Sequence, residues 1–146
     1  MHFVALTRRR LTGLAATVVC AAALIPVVTG ASASAETIPA ISIDSATIVA
    51  HGAAIQLTFT ATCGAGDDGS VTSTTTQTVG VHVAQGTTQT GFTCTGTPQQ
   101  ITALATANVN GAPFRPGNAL IQASVGDCPG ANCTGASVDE VLRLTK

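Results

Sequence analysis

Tryptophan and tyrosine are missing from all 146 residues, and phenylalanine occurs only four times. A core must therefore be assembled from Val, Ile, Leu, Ala and Thr, which bury less area per residue than aromatic rings. The same lack removes the flat surfaces on which a pyranose ring stacks, which argues against sugar binding of that kind. Charge is sparse too, at 9% Asp, Glu, Lys and Arg. No G-x-S-x-G or H-E-x-x-H pattern occurs, so neither a nucleophile elbow nor a helical zinc-protease pair is present.

What is present begins with an export signal over residues 1–35. Arg8, Arg9 and Arg10 form its positive start, Leu11 to Val28 its apolar stretch, and Ala33-Ser34-Ala35 the small residues that a signal peptidase requires. "TRRRL", residues 7–11, also matches a twin-arginine export pattern. Cleavage leaves one domain, residues 36–146, with no membrane span. That domain keeps only Arg115, Arg143 and Lys146 as formal cations against seven acids, a net charge of −4. Three scattered cations cannot release counterions from a phosphate backbone or hold an anionic bilayer, which excludes nucleic acid and lipid surfaces as partners. A monomer is expected.

Four cysteines remain after cleavage: Cys63, Cys94, Cys128 and Cys133. Four cysteines allow three pairings. Turn chemistry in "PGAN" brings Cys128 to Cys133, which leaves Cys63 for Cys94. A redox centre would have two residues between its cysteines rather than four. A zinc site recruiting His51 and His82 lacks C-x-x-C or H-x-x-x-H spacing, and an oxidising compartment competes for the thiols. The expectation is two structural disulfides, no metal and no cofactor.

From Ile38 onward the apolar period is two. In "AAIQLTFTATC" Ile55, Leu57, Phe59, Ala61 and Cys63 alternate with polar residues, as in a strand with one buried face. Phe92 and Cys94 share a face in "GFTCT", so the longer disulfide would join two inward positions. Further strands are predicted at 41–50, bent at Asp44-Ser45, and at 71–84, where Val79, Val81 and Val83 share a face. "AQGTT" reads as a hairpin turn into 88–95, followed by strands at 101–109, 119–125 and 138–144. About seven antiparallel strands with frequent turns predict an all-β protein, a disulfide-stapled two-sheet sandwich of immunoglobulin-like type.

Several residues invite chemistry. His51 and His82 are candidate general bases of a small extracellular hydrolase, but no partner is singled out among the many Ser and Thr. Asp67-Asp68-Gly69-Ser70 would hold calcium if Asp127 or Asp139 approached, yet Asp-Gly is also an ordinary turn pair. Asn132-Cys133-Thr134 formally matches a glycosylation acceptor. Thr-rich "SVTSTTTQT" and "QGTTQTGFTCTGT" place hydroxyls on alternate positions of neighbouring strands, as a binding face would, although Thr is also simply a soluble strand former.

The signal ending "ASASA", the strand ending in Cys63, "FTCTGTPQ", "PFRPGNA" and the closing cysteine pair together resemble small secreted actinobacterial proteins with an immunoglobulin-like sandwich. The chain is also distantly similar to the neocarzinostatin group of antitumour apoproteins, seven-stranded sandwiches with two disulfides, one of which closes a C-x-x-x-x-C loop. That group closes its other disulfide over a short loop, whereas Cys63 and Cys94 are 31 positions apart. The resemblance implies a fold and no ligand residues. Function is expected to be non-enzymatic binding of an extracellular protein, glycan or small molecule, in solution or at the cell envelope. Loops 64–70, 110–118 and 127–135 would make the contact, with Asp67, Asp68, Phe114, Arg115 and Asn132 as contact residues. A carrier holding a small apolar ligand between the sheets is the other non-catalytic expectation.

Overall fold

The structure, a computed structural model, describes residues 37–128 and 133–146. The export segment at 1–35 and the contact residue Asn132 lie outside the described residues. The described residues belong to one compact unit. Seven strands follow in sequence: β1 (Ala40–Val49), β2 (Ala54–Thr62), β3 (Asp68–Val79), β4 (His82–Thr93), β5 (Gln99–Ala107), β6 (Gly117–Asp127) and β7 (Thr134–Leu144). All named pairings are antiparallel, in the order β1-β2-β5-β4-β3-β6-β7. The all-β, disulfide-stapled expectation is met.

Two junctions nearly close this sheet on itself. β4 and β5 pair only at Gly86↔Ala107 and Thr87↔Thr106. β1 meets the segment after β7 through a parallel bridge, Thr47↔Thr145, where Ile48 N donates to Thr145 O (2.7 Å) and Thr145 N donates to Ala46 O (3.2 Å). Both junctions lie toward the same end, with the turns after β1 and β3 and the β5–β6 loop; this is called the open end below. The opposite end carries the loops after β2, β4 and β6 and is called the staple end. There Cys63 pairs with Cys94 (Cα–Cα 5.5 Å) and Cys128 with Cys133 (4.0 Å), as expected. The first bridge joins the end of β2 to the end of β4, across a gap that no strand pairing spans at that end.

Alternation produces the core, since one face of each strand is removed from water. Ile55, Leu57, Phe59 and Ala61 of β2 are fully buried, with Val71, Ile121, Val125 and Leu144 against them and small Ala103, Ala105, Ala119 and Ala123 filling the layer. The bend expected at Asp44 is a bulge: register shifts between Ile43 and Ser45, and the turned-out Asp44 accepts a hydrogen bond from Thr60 Oγ1 at 2.7 Å.

One strand boundary differs from expectation. Residues 71–84 are not a single strand; the chain reverses at Gly80-Val81, with Val79 paired to His82. Gly80 has φ +62° and Val81 does not share the positive φ, as in a type II′ hairpin with glycine first. Valine periodicity concealed the turn, and Val81 ends 94% exposed. Consequently "AQGTT" is no turn: Gly86 is buried within β4 beside the Phe114 ring.

On β3 the inward positions after Val71 are Ser73, Thr75 and Gln77, all buried. Ser73 Oγ and Thr75 Oγ1 have no hydrogen-bond partner. A buried hydroxyl without a partner costs about 1–3 kcal/mol. Replacing Thr75 by valine, which keeps the shape and removes the hydroxyl, should therefore raise the unfolding free energy by about 1 kcal/mol in urea titration. A loss instead would show that the hydroxyl is satisfied in solution.

Candidate functional site

The three loops expected to make contact lie at two ends of the sheet. Loop 64–70 and the described residues of 127–135 sit at the staple end and loop 110–118 at the open end, separated by β6. Eleven residues of strand span roughly 35 Å.

At the staple end the loop after β2 is tied down by its own backbone. Gly66 N donates to Cys94 O (2.8 Å), Asp67 N to Gly64 O (3.1 Å) and Cys94 N to Asp67 O (2.9 Å). Asp127, only 2% exposed, accepts from Gly64 N at 3.1 Å through Oδ2 and from the Thr134 hydroxyl through Oδ1. One oxygen thus fastens β6 to the β2–β3 loop and the other to the start of β7. Asp67 is half-buried and near Asp127, Asp68 is exposed, and Asp139 lies midway along β7 opposite Gln122. Among the described residues no three His, Cys, Asp or Glu side chains are grouped as a metal site would require.

The open end holds a more developed concavity. A cavity of about 320 Å³ is walled by the β1–β2 turn from Ile48 to His51, by Phe114, Arg115 and Pro116 of the β5–β6 loop, and by Lys146. Each wall is held by a specific contact. Ala50, His51 and Gly52 form a single 3-10 turn in which all three φ angles are positive, at +48°, +56° and +95°. Left-handed backbone costs an alanine roughly 1–2 kcal/mol, so the turn persists only because its neighbours fix it. The fixing contact is Phe114 N donating to Gly52 O at 2.9 Å.

Phe114, expected as a contact residue of a loop, is 1% exposed and lines the cavity. Its place outside the strands suggested a free loop. A phenyl ring gains about 2–3 kcal/mol on burial, and the loop folds inward to deliver it against Gly86. Arg115, the next residue, is exposed while its backbone is clamped. Gln77 Nε2 donates to Arg115 O (2.7 Å), and Arg115 N donates to Gln77 Oε1 (2.9 Å). Gln77 was not singled out in the sequence. Its signal was there, as a polar residue at an inward position in step with Val71.

His51 lines this cavity, and His82 lines a second one, of about 410 Å³, with Val83 and residues 110–113. Neither lining contains a Ser, Thr, Cys, Asp or Glu. The Thr-rich face carries two smaller depressions, of about 260 and 240 Å³, where Thr72, Thr74 and Thr76 stand beside Gln89, Thr87 and Gln85 on β4 and Ser124, Gln122 and Leu120 on β6.

No family model matches the chain, and no curated protein matches it either. Among the described residues no helix is long and apolar enough to cross a membrane.

Proposed function

We propose that the chain is exported, loses residues 1–35, and acts outside the cytoplasm as a non-enzymatic binding module whose working surface is the open end. In this proposal the fold is an immunoglobulin-like sandwich, with a layer of β1, β2 and β5 facing a layer of β4, β3, β6 and β7. The brevity of the β4–β5 pairing, two residue pairs, supports dividing the sheet there. Two disulfides, at least one of them deep in the core, suit an oxidising compartment.

One observation carries the binding reading: the open-end cavity has walls fixed by hydrogen bonds and a strained turn, yet no Ser, Thr, Cys, Asp or Glu in its lining. A hydrolase using His51 or His82 needs such a partner within about 3 Å of the imidazole. A preformed cavity lowers the ordering cost of binding, which is what a recognition site requires.

The test is ligand-dependent heating stability of the 36–146 fragment incubated with fractions of culture supernatant and cell-envelope extract. A ligand at about a hundredfold excess over its Kd should raise Tm by roughly 10 °C. His51→Trp, which hangs an indole over the cavity mouth, should abolish the shift. If no fraction acts, or the variant responds equally, the open end is not the working surface.

A further inference from the structure

We propose that the open-end cavity takes a small ligand bearing an oxyanion, a carboxylate or a phosphate, on a short apolar body. The proposal deepens the binding reading above and rests on it. Its basis is the distribution of the few charges in the chain. Arg115, Arg143 and Lys146, the only Lys and Arg among the described residues, all fall at the open end: Arg115 in the β5–β6 loop, Arg143 and Lys146 at the finish of β7 and beyond. Asp67, Asp68 and Asp127 fall at the staple end. Asp139 and Glu140 sit in the middle of β7, opposite Gln122 and Ile121, and Asp44 lies in the half of β1 nearer the staple end. A mature domain with a net charge of −4 repels anions in general. Its field is favourable to them at one end only, and there low-dielectric walls concentrate it.

The cavity lies in that field. Two of the three cations, Arg115 and Lys146, line it, and no acidic side chain does. Of the two, Arg115 is the decisive cation, because its backbone is held in place by Gln77. Its guanidinium presents several donors in a rigid fork that suits carboxylate and phosphate oxygens in pairs. Because Gln77 holds both backbone polar atoms of Arg115, the base of that side chain is fixed before a ligand arrives and the loop itself need not be ordered on binding. Ile48, Val49 and Pro116 supply apolar wall beside the cations. A volume of about 320 Å³ is at the small end of ligand sites, room for one ring or a short chain rather than a polymer.

The experiment is a chemical-shift titration of the labelled 36–146 fragment with three probes of one shape: benzoate, phenyl phosphate and benzyl alcohol. The expected result is saturable shifts confined to residues 48–51 and 114–116 with at least one of the two anions, and none with the alcohol. Which anion binds more tightly identifies the ligand chemistry. Arg115→Gln should weaken the anion about tenfold or more while leaving the spectrum's dispersion intact, and raising salt from 50 to 300 mM should weaken it further. Equal binding of benzyl alcohol would overturn the anion preference and leave the open end a binding site. Undiminished binding in Arg115→Gln, shifts centred on Arg143, or no shift with any probe would overturn the assignment outright. The extract assay above stands apart from these outcomes, since it reads any ligand at the open end.

Discussion

Replacing Cys63 and Cys94 together by alanine should lower the unfolding free energy by about 3–4 kcal/mol, whereas the same double replacement at Cys128 and Cys133 should cost about 2. The difference follows first from loop length, 31 positions apart against 5. It also follows from position. At the open end β4 and β5 are joined by strand pairing at Gly86 and Thr87, and β1 is joined to the chain beyond β7 at Thr145. At the staple end the Cys63–Cys94 bridge is the link between the end of β2 and the end of β4. Both cysteines are buried, at 1% and 3% exposure, while Cys128 and Cys133 are exposed. Alanine is the right replacement because serine would add buried hydroxyls to a layer that already holds two without partners. For a domain with roughly 5–15 kcal/mol in total, the longer bridge decides whether it stays folded at body temperature. Urea unfolding at 25 °C of both variants measures this. Equal losses would mean that the staple end is held by its loops and not by the bridge.

The sequence displayed its strands wherever one face meets the core and the other meets water. Ile55 to Cys63 alternates without a flaw, and the structure buries its apolar members as expected. The bend at Asp44-Ser45 was legible because two polar residues separate Ile43 from Ala46, and the bulge absorbs the extra one. Reading failed where one period ran across a reversal. Val79, Val81 and Val83 keep step through the Gly80 turn, so alternation alone could not reveal that two strands meet there. The site was hidden for a different reason. Seven strands were expected and seven form, so moving the hairpin to Gly80-Val81 leaves each loop at the same end; what alternation could not give is which loop folds inward to wall a cavity. Phe114 and Gln77 illustrate the limit from both sides, a loop residue drawn into the core and a strand residue that reaches out to clamp a loop.

Gly52→Ala should cost about 3 kcal/mol, far more than an ordinary glycine substitution at a surface turn. Gly52 has φ +95°, where a side chain is strained by roughly 1–2 kcal/mol before any contact is considered. A methyl group there would stand 2.4 Å from Phe114 O and 3.2 Å from Pro113 Cβ. Backbone atoms cannot yield as a flexible side chain can, so the β5–β6 loop must move. Movement breaks the Phe114 N to Gly52 O bond, worth about 1 kcal/mol, and lifts the phenyl ring from its place against Gly86. It also pulls the Arg115 backbone from Gln77, leaving a buried amide without partners. Ala50→Gly makes the opposite change in the same turn, since Ala50 is exposed and holds φ +48°. Relief of its strain, less the added freedom of glycine in the unfolded chain, should stabilise by about 0.5–1 kcal/mol. Urea midpoints of the two variants therefore move in opposite directions from one another, and the amide resonance of Arg115 should shift strongly only in Gly52→Ala. A loss below 1 kcal/mol in Gly52→Ala would mean that turn and loop yield together, and that the cavity between them is shaped by its contents instead of being built in advance.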